Sequence, residues 1–164
     1  MTLRLILLRH AKSSWGDPAL DDHDRPLNTR GQRDAPRIGQ WLKANGFIPD
    51  LVLCSSAKRA LETFACLGLN VECTTLPDLY MASPQTLLKS VRKASEDKIL
   101  VIAHNPGIGS LAAQIVAQPP HHPRFHDYPT ASTLVAEFDE TDWRQIAPGS
   151  ATVLTFVTPR DLPA

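Results

Sequence analysis

The chain has 164 residues, with 17 basic and 17 acidic side chains and a formal net charge of zero at pH 7. This length predicts a single domain over residues 1–164 with a sizeable core. The balanced charge argues against nucleic acid or a membrane surface as the main partner. No apolar run is long enough to span a bilayer, and the N-terminus lacks a signal-peptide pattern. Cys54, Cys66 and Cys73 form no paired motif, which predicts free thiols and a cytoplasmic location.

Short apolar runs rich in branched side chains predict the strands of a central sheet. Four buried strands are expected at residues 3–8, 50–54, 98–103 and 150–157. A further strand at 132–138 is expected to pair with the last one, and residues 70–75 to add a short edge strand. Runs that are apolar on both faces are typical of a parallel sheet covered by helices on both sides.

Helical patterns fill the intervals between these strands, at residues 30–45, 57–67 and 107–117 and from Ser83-Pro84 onward. Pro36 lies inside the first pattern and lacks a backbone N–H, so we expect the regular helix to begin near it or to kink there. The alternation predicts an α/β fold: a single-domain three-layer sandwich whose central sheet is mainly parallel, with helices on both faces. The final two strands are expected to be antiparallel.

Polar groups directly follow three of the predicted strands. Arg9-His10 comes after the first strand, Ser55-Ser56 and Arg59 after the second, and His104-Asn105 after the third. Parallel strands end at one edge of a sheet, where α/β folds bind their ligands. Arginine forks and helix N-termini bind phosphoryl groups, and an imidazole held among them can attack phosphorus. Taken alone, Arg9-His10 is more typical of a solvated strand end and His104-Asn105 of a polar turn, so the inference depends on their combination.

In order and spacing, these motifs resemble the histidine phosphatase superfamily, which has the phosphoglycerate mutase-like fold. The superfamily signature is Arg-His at the end of the first strand, and the chain is most similar to the short, SixA-like phosphohistidine phosphatases. The resemblance extends from residue 3 to about residue 157. It is carried by Arg9-His10-Ala11-Lys12-Ser13-Ser14-Trp15, Asp22-His23-Asp24-Arg25-Pro26-Leu27-Asn28, Arg30-Gly31, Ser55-Ser56-x-x-Arg59-Ala60-x-x-Thr63 and Ala103-His104-Asn105-Pro106.

The resemblance implies a phosphatase that needs no metal and no cofactor. His10 is then the nucleophile and forms a transient phosphohistidine that water hydrolyses. Arg9, Arg59 and His104 bind the phosphoryl oxygens and stabilise the charge of the transition state. Arg25, in an Arg-Pro-Leu motif, matches a further phosphate-binding arginine of the SixA-like group.

The resemblance leaves the general acid least defined. Larger relatives place a Glu or Asp on an insertion before the third motif, whereas the corresponding region here, 76–97, is short. Asp78 is the one plausible counterpart, with a solvated loop residue as the alternative. Ala11 and Ala103 stand where the superfamily usually has glycine. A phosphohistidine nitrogen leaves more readily than an alkoxide and depends less on a proton donor.

The preferred substrate is therefore phosphohistidine on a protein, such as a phosphotransfer domain or a carrier protein. Two alternatives stay open: a phosphomonoesterase acting on a small phosphorylated metabolite, favoured if Asp78 is a working acid, and a phosphate-recognition module with little turnover. Mutase activity is disfavoured because the chain lacks a long insertion.

We interpret the three aspartates of 21–24 as an exposed loop that positions Arg25, and Trp15 as a packing residue or part of the pocket mouth. A metal site is disfavoured because the spacing of three nearby histidines fits no common ligand pattern. These histidines are His121, His122 and His126.

Overall fold

A six-stranded mixed sheet with helices on both faces forms the centre of the molecule, in a computed structural model that describes residues 2–163. The strands are β1 (Leu3–Arg9), β2 (Leu51–Ser55), β3 (Cys73–Leu76), β4 (Lys98–Ala103), β5 (Thr133–Phe138) and β6 (Thr152–Val157). The helices are α1 (Thr29–Ala44), α2 (Lys58–Leu67), α3 (Pro84–Arg92) and α4 (Gly107–Ile115). Over 2–163, no helix combines the length and the apolar character needed to cross a membrane.

The strand order is β3-β2-β4-β1-β5-β6. The first four strands in this order run parallel, and β5 pairs antiparallel with both β1 and β6. The predicted parallel sheet and the antiparallel final pair are both confirmed. Arg9 is in register with Ala103, so the chain leaves β1 and β4 side by side. This register decides which side chains meet at the edge of the sheet.

The two faces of the sheet bury different helices. Alternate side chains of β1 point to opposite sides: Leu5 and Leu7 pack with α3 and α4, whereas Ile6 and Leu8 pack with α1 and α2. Each fully buried aliphatic side chain contributes on the order of 1.5–3 kcal/mol to the burial free energy. The predicted three-layer arrangement is confirmed. Packing on both faces of the sheet holds the strand ends in fixed positions.

Helix α1 covers almost the whole of the predicted pattern at residues 30–45. Its first residue is Thr29, because the Asn28 side chain accepts a hydrogen bond from the Gly31 N–H at 2.9 Å and caps the helix. Of the two expectations for Pro36, a regular helix that starts near it is wrong, since the helix passes through Pro36; the alternative, a kink at Pro36, stays a prediction. Proline removes one backbone hydrogen bond, and burial of Ile38 and Leu42 against the sheet offsets that loss.

Candidate active site

Three adjacent parallel strands deliver polar side chains to one edge of the sheet. Arg9 is the last residue of β1, His10 follows it, and His104 follows β4. The His10 N–H donates to the Ala103 carbonyl at 3.1 Å, and the two imidazole rings have centroids 5.1 Å apart. Helix α2, which follows β2, presents Arg59, whose charge acts on both Arg9 and His10. The structure thus brings together Arg9, His10, Arg59 and His104.

His10 is held in one orientation and one protonation state. Its side chain is buried, and Nδ1 lies 2.7 Å from the Ala11 carbonyl oxygen. A carbonyl oxygen can only accept, so Nδ1 carries the hydrogen and Nε2 keeps its lone pair. Burial lowers the pKa of His10 to about 3, and the charges of His104, Arg59 and Arg9 act in the same direction, against the hydrogen bond to Ala11. The imidazole is therefore neutral at pH 7 and able to act as a nucleophile.

Two helices fix the loop that follows His10. The Ala11 N–H donates to Thr63 Oγ1 at 3.0 Å, and the Thr63 hydroxyl donates to the Arg59 carbonyl at 2.7 Å. On the other side Gly31 of α1 approaches so closely that a Cβ there would lie 2.2 Å from the Lys12 carbonyl oxygen. Thr63, four residues after Arg59 on α2, thus links this helix to the loop that follows His10.

Arg59 is almost fully buried and is oriented by Asp22. Its Nη1 donates to the Asp22 backbone carbonyl at 2.7 Å, and its Nη2 donates to Asp22 Oδ2 at 2.9 Å. The Tyr80 hydroxyl donates a hydrogen bond to the same carboxylate. This bond, together with the guanidinium groups of Arg59 and Arg25, holds the pKa of Asp22 well below its usual range. Asp22 is therefore a permanently ionised group beside the cluster.

Arg25 lies at the rim of the cluster and is linked to Arg59 through Asp22. Its Nε donates to Asp22 Oδ1 at 3.1 Å and its Nη1 to Ser13 Oγ at 2.8 Å. The guanidinium carbon stacks 3.5 Å from the ring centroid of Trp15, whose side chain is 71% exposed. Asp22 positions Arg25, in line with the sequence interpretation, and Trp15 covers it from the solvent side.

Three buried nitrogens of the cluster have no hydrogen-bond partner within residues 2–163. They are Arg9 Nε, Arg59 Nε and His104 Nδ1. Such atoms cost about 1–3 kcal/mol each when they stay unpaired, so their concentration at one place indicates a binding site for an acceptor. His104 Nε2 is 2.8 Å from Ser55 Oγ, and burial lowers the pKa of His104 to about 3. The arrangement suits a compact oxyanion.

Asp78 is not part of this cluster. It is exposed on the turn Pro77–Leu79 and lines a groove of about 290 Å³ with Leu53 and Lys93. The chain then bends so that Tyr80 reaches the cluster instead, with its ring centroid 5.5 Å from that of His104. No sequence pattern predicts the role of Tyr80, because its position depends on this turn.

Of the three histidines considered as metal ligands, His122 forms an ion pair with Asp161, with Nε2 and Oδ2 2.7 Å apart.

Fold and site together define a class of enzyme. The buried guanidinium of Arg59, the half-buried guanidinium of Arg9 and two neutral imidazoles lie at the carboxyl edge of a parallel sheet. They are suited to accept a phosphoryl group and to transfer it through histidine. Comparison with known proteins agrees with this class. The histidine phosphatase superfamily (branch 1) model matches residues 5–80.

Relatives of full length extend this match. An uncharacterized protein of Mycobacterium tuberculosis is 33% identical over 160 residues, which cover 93% of this chain and 100% of the relative. A 2,3-bisphosphoglycerate-dependent phosphoglycerate mutase of Bifidobacterium longum is 38% identical over 65 residues, 38% of this chain and 26% of the mutase. The solved structure of a candidate phosphohistidine phosphatase SixA from Nakamurella multipartitia is 27% identical, covers 97% of both chains and has a TM-score of 0.84.

The chain belongs to the histidine phosphatase superfamily and resembles its SixA group. It is a phosphatase of the kind that works through a phosphorylated histidine.

Proposed function

We propose that this protein removes the phosphoryl group from phosphohistidine on another protein, with His10 as the nucleophile. The observation that carries the proposal is the neutral Nε2 of His10 beside three buried nitrogens that have no partner within residues 2–163. A phosphoryl group bound to those nitrogens presents its phosphorus to His10. Substrate binding thereby satisfies donors that the fold leaves unpaired.

In the first step, Nε2 of His10 attacks phosphorus, a new N–P bond forms, and the N–P bond of the substrate breaks. The electron pair of that bond goes to the departing imidazole nitrogen, which takes a proton from solvent. Arg9 and Arg59 bind the equatorial oxygens and offset the charge of the transition state. His104 Nε2 lies 2.8 Å from Ser55 Oγ; in the tautomer in which the Ser55 hydroxyl donates, the hydrogen of His104 is on Nδ1 and serves as a further donor to the phosphoryl group.

In the second step, water attacks the phosphorus of phosphorylated His10, releases inorganic phosphate and restores the imidazole. The Nδ1–H of His10 stays bonded to the Ala11 carbonyl at 2.7 Å. The ring therefore keeps its orientation in both steps, and the buried guanidinium groups stay in place.

The chemistry around the cluster favours an N–P bond over a phosphate ester. An alkoxide leaving group needs a proton donor, and neither Asp78 nor Asp22 is suited to that task. Asp78 lies outside the cluster. Asp22 is held ionised by Tyr80 and the arginines. A phosphohistidine nitrogen leaves without such help, which also agrees with the activity named for the SixA structure from Nakamurella.

The rim of the cluster supports a protein substrate. Trp15 and Met81, 71% and 51% exposed, are large apolar side chains that touch Arg25 and Arg59 respectively. Exposed aromatic and methionine side chains next to a buried site are typical of surfaces that contact another protein. The three free cysteines fit a reducing compartment, so the proposal places the protein and its partner in the cytoplasm.

A small phosphorylated metabolite is the second candidate, supported by the similarity to a phosphoglycerate mutase over 65 residues. The deciding experiment measures phosphate release from a histidine-phosphorylated phosphotransfer domain and from O-phosphoserine, an alkyl phosphate ester whose alkoxide leaving group needs a proton donor. The proteins compared are the wild type, His10→Ala and, as a control, His121→Ala at an exposed position.

The proposal predicts fast release from the phosphoprotein and slow turnover of the ester. His10→Ala should lose activity by about 10⁴-fold or more, whereas His121→Ala should match the wild type. The phosphorylated wild-type enzyme, trapped by denaturation, should carry an acid-labile, base-stable phosphate. Efficient ester cleavage with an inert phosphoprotein would instead assign the protein to metabolite phosphatases, and activity in His10→Ala would refute the nucleophile.

A further inference from the structure

A second set of arginines lines a groove of about 550 Å³ along the outer side of α1. These residues are Arg30, Arg33, Arg37, Arg124 and Arg160. Among the described residues, Asp34 is the one acidic side chain of this lining, so the formal charge of the lining is +4. Because the whole chain has a net charge of zero, the groove is a local concentration of positive charge. We call it the arginine groove.

The carboxylate of Asp34 only partly balances the groove. Asp34 is buried, and its oxygens lie 3.3 Å from Arg33 Nε, 3.4 Å from Arg37 Nη1 and 3.8 Å from Arg30 Nε. One carboxylate is therefore shared by three guanidinium groups. The side chains of Arg30 and Arg33 are 52% and 65% exposed, so their remaining donors face solvent and can reach a bound anion.

The arginine groove shares a wall with the candidate active site. Thr130 lines the groove and accepts a hydrogen bond from Arg30 Nη2 at 3.3 Å. The next residue, Ala131, donates its N–H to the backbone carbonyls of Arg9 and His10 at 3.0 and 3.1 Å. A protein whose phosphohistidine lies over His10 therefore places neighbouring parts of its surface beside the groove.

We infer that the arginine groove binds acidic side chains of the protein that carries the phosphohistidine. The inference rests on the proposed function, and it adds that the partner protein carries negative charge near its phosphohistidine. Guanidinium forks bind carboxylates in a bidentate geometry, and a concave surface of one charge sign raises the encounter rate with oppositely charged partners. The groove lies beyond the Thr130 wall and does not contact the reacting atoms, so its effect is on recognition.

The test uses two synthetic peptides, each phosphorylated on a single histidine with phosphoramidate. One peptide has four glutamates next to the phosphohistidine, and the other has four glutamines in the same places. kcat/KM is measured for both peptides at low and at high salt. The variants are Arg30→Gln/Arg33→Gln and Arg33→Gln/Arg124→Gln. The control is Arg144→Gln/Lys98→Gln, which removes the same charge from two exposed positions outside the groove.

The wild type should prefer the glutamate peptide by about tenfold at low salt, and high salt should reduce this preference. Both groove variants should bring the ratio close to one, with an unchanged rate on the glutamine peptide. The control should behave as the wild type. Two variants are used because Arg30 also contacts Asp34 and Thr130, whereas Arg124 pairs with Asp127 instead.

The possible failures are distinct. Equal rates on both peptides in the wild type would refute the inference while leaving the proposed function intact. A preference that survives in both groove variants would refute it as well, because the charge then acts elsewhere. Hydrolysis of neither peptide by the wild type would refute the proposed function itself, and the groove inference with it.

Discussion

The two arginine sets of this protein differ in burial and in how they are held. The inner set consists of Arg59 and Arg25, which are 2% and 7% exposed and both donate to Asp22. In the arginine groove, Arg30 and Arg33 are more than half exposed and share a buried carboxylate at 3.3 Å or more. The same side chain thus occurs in a fixed, desolvated form and in an exposed, loosely paired form.

This difference separates two tasks. A buried guanidinium with fixed donors acts in a low effective dielectric and stabilises charge at one defined point. The field of an exposed guanidinium is largely screened beyond about 10 Å at 0.1 M salt, and within that distance it attracts anions of many shapes. We therefore expect substitutions in the inner set to change the chemistry strongly, and substitutions in the groove to change only recognition.

Of the arginine substitutions in the two sets, Arg59→Lys should have the largest effect. Lysine keeps the charge, but its single nitrogen cannot occupy the positions of both Nη1 and Nη2, which donate to the Asp22 backbone and carboxylate, and still present the fixed fork of donors of a guanidinium to a phosphoryl oxygen. We expect kcat/KM to fall about 10²- to 10³-fold on any substrate that the enzyme hydrolyses. Arg144→Lys, at an exposed position, is the matched control. A loss below about threefold in Arg59→Lys would show that charge alone suffices.

Stability should depend on pH through the two histidines of the candidate active site. His10 and His104 have pKa values of about 3 in the folded protein, against an ordinary value of 6.5. Between these values the unfolded chain binds protons that the native state does not bind. The free energy of unfolding therefore falls as the pH decreases from about 6.5 toward about 3, by up to about 1.4 kcal/mol per pH unit for each histidine.

Urea unfolding at a series of pH values measures this slope. His10→Asn removes one of the two groups and should make the slope shallower, whereas His121→Asn, at an exposed position, should leave it unchanged. Identical slopes for the wild type and His10→Asn would contradict the burial of a neutral imidazole.

Asp22→Asn should separate binding from turnover. The carboxylate orients Arg25 and Arg59 but also repels a bound phosphoryl group. Loss of the charge should lower KM a few-fold, because the repulsion is removed. The loss of fixed orientation should lower kcat about tenfold. Steady-state kinetics with a histidine-phosphorylated phosphotransfer domain measures both constants, and an unchanged kcat would show that Asp22 does not position the arginines.

Much of the sheet and of the cluster follows from local sequence. The apolar runs that precede Arg9-His10 and His104 predicted two strands. Because parallel strands all end at the same edge of a sheet, they also predicted that the side chains that follow them meet there. The sequence left the start of α1 undecided between residue 30 and Pro36, because the breaker signal of Pro36 weighed against the helical pattern and the cap at Asn28 was not recognised. A cap is a single hydrogen bond whose presence depends on the preceding backbone.

Contacts between loops could not be predicted in the same way. Asp78 was chosen by its position before the third motif, and a short turn instead directs Tyr80 toward His104. The arginine groove was missed because net charge averages over the whole surface. It combines residues of α1 with Arg124 and Arg160, which approach only in the folded chain.

Arg33→Gln should have the smallest effect and sharpens the contrast most directly. The Arg33 side chain is 65% exposed, and Asp34 keeps Arg37 at 3.4 Å as a partner. Exposed ion pairs contribute about 0–1 kcal/mol, so the free energy of unfolding should change by less than about 0.5 kcal/mol in urea titrations. Activity on p-nitrophenyl phosphate should equal that of the wild type. A loss of stability above about 1.5 kcal/mol would mean that the folded protein needs Arg33 to balance the buried charge of Asp34. The groove arginines would then stabilise the fold, and they would not be free to bind a partner.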